Sequence, residues 1–198
     1  KKITNLNAII FLSIILFCGL LILFQFKLET ILTGFLCTPL IVLYPIMKRI
    51  TFWPQLFLGI IFNWGVIICS VEFFGSVTKE YFIFYLACVL WTIGYDTIYA
   101  YQDLKDDKIN NIKSTAVLFT KNGKYLVIAC YTIMFVTIGY LTLFKTIEII
   151  KLLVFSCIFI YIIIDLIKWD LNSEDNSGKK FRKNNLFGVM IFLYLLIF

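Results

Sequence analysis

Tyr81-Phe-Ile-Phe-Tyr-Leu-Ala-Cys-Val-Leu-Trp91-Thr-Ile-Gly-Tyr-Asp96-Thr-Ile-Tyr99-Ala-Tyr-Gln-Asp103-Leu-Lys-Asp106-Asp107 runs from an apolar stretch directly into a group of carboxylates. As an α-helix, residues 81 to 100 alone cover about 30 Å, the thickness of a bilayer's hydrocarbon layer. Comparable runs lie at residues 8 to 26, 31 to 47, 53 to 71, 125 to 144 and 147 to 167, and a seventh, 186 to 198, is still apolar where the sequence stops. These runs are continuous, rich in Ile, Leu and Phe, and lack strand-like alternation, so helices rather than a barrel must satisfy their backbone. The expected fold is an all-α, multi-spanning membrane helix bundle, with residues 1–198 forming one transmembrane domain.

Composition agrees. With 61% of its 198 residues hydrophobic and 15% charged, the chain holds more apolar surface than a soluble core of this size can hide. The first run is too long for a removable signal peptide, and no small-residue cleavage site follows it. Assigning connections alternately to two sides puts 14 of the 18 basic residues on one of them, with only Lys27, Lys79, Lys145 and Lys151 opposite. Positive charge accumulates on the cytoplasmic or matrix side of membrane proteins, so that side is expected to hold Lys1, Lys48, Arg49, Lys113 and the aspartates. The net charge of +6 thus reports topology, and nucleic acid is not an expected partner.

The six cysteines sit singly inside apolar runs, without metal or redox spacing, and read as small core hydrophobes. Histidine is absent, which excludes His-based triads, His-ligated zinc and a His general base. The outer connections are short and nearly neutral; the inner ones, at residues 44 to 54, 101 to 124 and 169 to 185, are longer and more polar, so function is expected there. Pro45 and Pro54 are expected to break or kink helices, Asn122-Gly123 to turn, and residues 169 to 185 to form a flexible loop before a basic helix entry.

If the helix of residues 81 to 100 continues, Asp96, Asp103 and Asp107 fall within about a 40° arc, consecutive members roughly 6 to 11 Å apart along the axis, with Asp106 to one side. Like charges near hydrocarbon are costly through desolvation and mutual repulsion, and a divalent cation removes both penalties. Oxygen-only ligands at i and i+4 suit Mg²⁺, completed by substrate phosphates. A solvated acidic loop offset by Lys105 and Lys108 is the plainer alternative. Tyr44 and Lys48, four residues apart, share a helix face on the same side, with Arg49 adjacent, either to meet anions or to anchor at the interface.

At these residues the sequence resembles the UbiA family of intramembrane aromatic prenyltransferases, most closely its 4-hydroxybenzoate branch. The signatures are Tyr44-Pro-Ile-Met-Lys48-Arg49-Ile-Thr-Phe-Trp-Pro-Gln55, Gly59-Ile-Ile-Phe-Asn63-Trp-Gly65, Trp91 to Asp107, Ile112-Lys113-Ser114-Thr115-Ala116 and, more weakly, Phe181-Arg-Lys-Asn-Asn185. The resemblance implies nine helices, about seven of them visible here, around a cavity with two aspartate-rich motifs that hold Mg²⁺ and a polyprenyl diphosphate. Asp103 and Asp107 match the second motif, with Asp96 and Asp106 as companions. The first motif has no match, so two further helices carrying it are expected before Lys1, and the isolated chain is expected to be inactive.

The implied reaction moves a polyprenyl group from its diphosphate to the ring of 4-hydroxybenzoate, on the way to ubiquinone, in a bacterial or mitochondrial inner membrane. Asp103, Asp107 and Asp106 are then the expected metal ligands, Lys48 the group assisting diphosphate departure, and Asp96 the carboxylate that orients or deprotonates the phenol. Tyr44, Arg49, Asn63, Tyr99 and Lys113 are expected to bind substrate, Arg49 through the benzoate carboxylate. Three alternatives stay open: a haem or naphthoate acceptor, a cation or proton transporter, and a non-catalytic remnant.

Overall fold

A computed structural model describes residues 4–143 and 149–197; Lys1, Lys2, Lys145, Glu148 and Phe198, which entered the topology and charge readings, lie outside the described residues. The described chain is helical, with no strand. Its helices are α1 (Asn5–Leu23), α2 (Leu28–Leu36), α3 (Thr38–Ile50), α4 (Pro54–Phe62), α5 (Trp64–Phe74), α6 (Lys79–Gln102), α7 (Leu104–Ile109), α8 (Thr115–Phe119), α9 (Gly123–Leu143), α10 (Ile149–Ile167) and α11 (Glu174–Ile197). Six units are long and apolar enough to cross a membrane: α1, α2 with α3, α4 with α5, α6, α9 and α10. The seventh apolar run is the second half of α11, whose first half is charged.

Two of the expected single spans are each built from two helices. Cys37 separates α2 from α3, and Asn63 separates α4 from α5 by folding its Nδ2 back to the Gly59 carbonyl at 2.8 Å. Pro45 does not end its helix, because α3 continues to Ile50; Pro54 does mark a start, at the first turn of α4, where its missing N–H costs nothing. Thr78 caps α6 through Tyr81 N, and Gly75, at φ 74°, closes α5 in the left-handed conformation that favours glycine.

The core forms around α6, which packs against α4, α5, α9 and α11. Gly94 permits one close approach within this packing: a Cβ there would lie 2.6 Å from the Tyr131 ring of α9. Ala87, Ile98, Tyr131, Met134 and Phe135 are buried in this seam, while Leu, Ile and Phe on the outward faces remain exposed, as a lipid solvent requires. Of the cysteines, Cys37 and Cys130 are buried as expected, but Cys18, Cys69 and Cys157 are exposed among the outward apolar side chains; all six are free.

The connections are more ordered than their composition suggests. Glu72 clamps one end of the bundle: its carboxylate accepts from Thr30 Oγ1 at 2.7 Å and from Lys27 N at 3.2 Å. The polar segment after α10, expected to be a loop to residue 185, is helical from Glu174. Its polar groups are consumed locally: Asp170 N donates to Asn176, Asn176 N to Ser173 Oγ, and the buried Trp169 indole to Ser177 Oγ at 3.0 Å.

Candidate functional site

The helix of residues 81 to 100 does not run unbroken through the carboxylates. It ends at Gln102, and Asp103, at φ −99° and ψ 5°, joins it to α7. The Asp107 N–H still bonds to the Asp103 carbonyl at 2.9 Å, so the expected one-turn relation of these two aspartates survives the break. Asn111 follows at φ 53°, a left-handed conformation that asparagine tolerates better than most residues. The chain thereby doubles back, and Lys113 N donates to the Lys48 carbonyl at 2.9 Å.

This return places α8 beside the aspartates. Ser114 caps α8 through Val117 N at 3.3 Å, and its hydroxyl favours the charged form of the Asp107 carboxylate. The helix start is fixed from two sides: Gln55 Oε1 of α4 accepts from Thr115 N at 3.2 Å, and the Thr97 and Thr115 hydroxyls meet at 2.7 Å in the interior. Both Gln55 and Thr115 are buried. Sequence reading quoted Gln55 and Ser114 without giving them a role; a hydroxyl or amide next to an apolar helix start is the signal that could have found them.

Tyr44, Lys48, Asp96, Tyr99, Asp103 and Asp107 gather at this end. Lys48 interacts electrostatically with both Asp96 and Asp107, Tyr44 with Asp96, and Tyr99 hydrogen-bonds to Asp103. Partial burial pushes the Asp107 carboxyl above its ordinary range; the Ser114 hydrogen bond and Lys48 oppose this, and Asp103 and Asp106 add to it. The Asp107 carboxylate is therefore under-compensated. Lys105 contributes little compensation, because its ammonium reaches Glu174 of α11 at 2.8 Å.

The remaining expected residues are placed differently. Asp106 and Arg49 are exposed, and Arg49 forms no ion pair among the described residues. Lys113 is engaged by the protein itself, donating to the Ile50 carbonyl at 3.0 Å and lying 5.4 Å from the Phe52 ring centre. Among the described residues, no three His, Cys, Asp or Glu side chains converge as a complete metal-ligand set. The acidic oxygens present fit a hard cation in chemical type and supply part of such a set.

Asp96 also faces a cavity of about 680 Å³ between α4, α6 and α11, with Asn63, Trp91, Tyr95 and Asn184 on its wall and Phe62, Val189 and Phe192 among its apolar lining. Asn63 Nδ2 is held by Thr92 Oγ1 at 2.8 Å, and Asn184 Oδ1 accepts from Trp91 Nε1 and Tyr131 Oη, each at 2.8 Å. Trp91 and Asn184 stood inside recognised stretches of sequence, but their meeting across 93 positions is a tertiary fact.

A polytopic helical membrane protein with aspartates gathered at one end of the bundle and an apolar cavity lined by one of them, Asp96, is the class that fold and site define. The sequence model of the UbiA prenyltransferase family matches residues 1–195, and the chain belongs to that family. It is 47% identical to the mitochondrial 4-hydroxybenzoate polyprenyltransferase of Drosophila melanogaster over 126 residues, covering 62% of this chain and 32% of the fly protein. It is 38% identical to 4-hydroxybenzoate geranyltransferase 2 of Lithospermum erythrorhizon over 192 residues, 92% of this chain and 60% of the plant protein. The mitochondrial 4-hydroxybenzoate polyprenyltransferase of Rattus norvegicus is 42% identical over 123 residues, 62% of this chain and 33% of the rat protein. The chain thus matches between about a third and three fifths of the length of these curated relatives. No solved structure matches it.

Proposed function

We propose that this chain forms part of a Mg²⁺-dependent prenyltransferase that joins the polyprenyl group of a polyprenyl diphosphate to the ring of 4-hydroxybenzoate, a step in ubiquinone biosynthesis. The observation that carries this reading is the one-turn relation of Asp103 to an under-compensated Asp107, with Asp103 in electrostatic reach of the cavity-lining Asp96. Names of the relatives support the acceptor and the prenyl donor. Asp103 and Asp107, with Asp106 beside them, would hold the metal together with ligands from outside this set; when bound, it would neutralise the departing diphosphate. Lys48 adds a positive charge on the same side. In the reaction the allylic carbon–oxygen bond breaks, the ring carbon beside the phenol forms the new carbon–carbon bond, and that carbon loses its proton. Asp96 would orient the phenol or take its proton, and Arg49, an exposed cation, would meet the benzoate carboxylate.

The site is assigned to the cytoplasmic or matrix face of a bacterial or mitochondrial inner membrane, following the distribution of Lys and Arg. Supplying the first aspartate-rich motif on preceding helices and assaying prenyl transfer in membranes, with and without Mg²⁺, tests the reading. Transfer to 4-hydroxybenzoate that stops on chelation is the expected result. Transfer only to haem or a naphthoate would replace the acceptor, and cation flux in liposomes without any transfer would replace the function.

A further inference from the structure

Two asparagines on the cavity wall have their amides fixed in opposite senses. A tryptophan indole can only donate, so the Asn184 atom 2.8 Å from Trp91 Nε1 must be the oxygen. Tyr131, wholly buried on α9, donates its hydroxyl to the same oxygen at 2.8 Å. Asn184 therefore cannot flip without turning its N–H groups toward the donor-only indole of the half-buried Trp91 and taking the acceptor from the buried Tyr131 hydroxyl, which opposes rotation. Its Nδ2, with two N–H donors, has no protein acceptor among the described residues and is not sealed from the cavity that Asn184 lines. Asn63, on the α4–α5 side, is fixed the other way. Thr92 Oγ1 gives its proton to the Cys88 carbonyl, so it must accept from Asn63 Nδ2, and the Asn63 oxygen is the group left accessible.

We propose that Asn184 is a specificity-determining residue whose Nδ2 donates to the carboxylate of the aromatic acid bound in the cavity, its polarity set by Trp91 and Tyr131. This inference rests on the 4-hydroxybenzoate reading. It deepens that reading by adding a neutral donor to the Arg49 contact with the acid's carboxylate, while the Asn63 oxygen stands with Asp96 on the same cavity as an acceptor for the hydroxyl. The apolar side chains around them lower the local polarity, which strengthens both bonds.

Asn184→Asp is the discriminating variant, because one carboxylate oxygen still accepts from Trp91 and Tyr131 while the other replaces the N–H donors with negative charge. In the complete protein in lipid nanodiscs, the KM for 4-hydroxybenzoate should rise on the order of tenfold or more while that for the prenyl diphosphate changes less than about twofold. Equilibrium binding of radiolabelled 4-hydroxybenzoate should weaken in parallel, and the neutral 4-hydroxybenzyl alcohol should be affected much less. An unchanged KM for the acid, or an equal rise for both substrates, overturns the role of Asn184 and leaves the proposed function standing. If wild-type protein transfers no prenyl group, loss of acid binding in Asn184→Asp alone still supports the contact, and equal binding in both proteins, or in neither, overturns it.

Discussion

Lys180 Nζ of α11 lies 2.9 Å from Asp165 Oδ1 of α10, and Lys183 Nζ shares that oxygen. Lys180 also donates to the Asp165 backbone carbonyl at 2.7 Å. The clasp joins the two helices at the end where α11 presents Asn184 to the cavity, and its carboxylate is buried. Removing one partner of such a group leaves uncompensated charge, so Asp165→Ala should cost roughly 3 to 5 kcal/mol. Thermal unfolding in detergent checks this. Replacing Asp165, Lys180 and Lys183 together by leucine, methionine and methionine should recover much of the loss; a triple variant no better than Asp165→Ala would refute the electrostatic account.

Asp103→Ala combined with Asp107→Ala should lower Mg²⁺-dependent prenyl transfer by about a hundredfold or more, since both proposed metal ligands are lost. Mn²⁺ binding followed by electron paramagnetic resonance supplies a readout independent of turnover. Full activity in the double variant would remove the metal assignment.

Ser114→Ala deletes both the cap of α8 and the hydroxyl that favours the charged form of Asp107. Loss of the cap alone should cost about 0.5 to 2 kcal/mol. A Mg²⁺ titration of activity should also shift to higher concentration, whereas Ser114→Thr should retain most of the wild-type response. Equal Mg²⁺ dependence in all three proteins would confine Ser114 to a capping role.

Gly94→Ala should destabilise by roughly 1 to 3 kcal/mol, because the new Cβ meets the Tyr131 ring in a packed interior. Displacement of Tyr131 should also weaken its bond to Asn184 and raise the KM for the aromatic acid. Wild-type stability would show that the α6–α9 seam yields more readily than its geometry implies.

Arg49→Ala should weaken binding of the aromatic acid about tenfold and leave prenyl diphosphate binding nearly unchanged, as expected for loss of one charge-assisted contact. Isothermal titration with each ligand separates the two. Equal weakening would assign Arg49 to the diphosphate side or to structure.

Much of the site was legible because its chemistry is local. Asp103 and Asp107 lie one helical turn apart in any helix, and their backbone hydrogen bond persists even where the longer helix breaks. Lys48 and Tyr44 could be assigned to the same end from the charge distribution alone. The roles of residues 101 to 124 and 169 to 185 were harder to read, because polar side chains look alike whether they face water or close a cap. Ser114, Ser173, Asn176 and Ser177 all proved to be hydrogen-bond partners of the protein itself. Lys113 was expected to meet substrate, but a lysine's reach lets a nearby carbonyl claim it, here that of Ile50.

The sequence by itself determined a helical membrane bundle and the end of it that gathers carboxylates, because bilayer thickness, backbone hydrogen bonding and the siting of Lys and Arg are constraints read along one dimension. Tertiary structure alone decided the break at Asp103, the left-handed return at Asn111, and the direction of the Asn184 amide. Each of these depends on which donors and acceptors meet across tens of residues. Trp91 and Tyr131 orient Asn184 only because Gly94 lets their helices approach, and no spacing within the chain encodes that meeting.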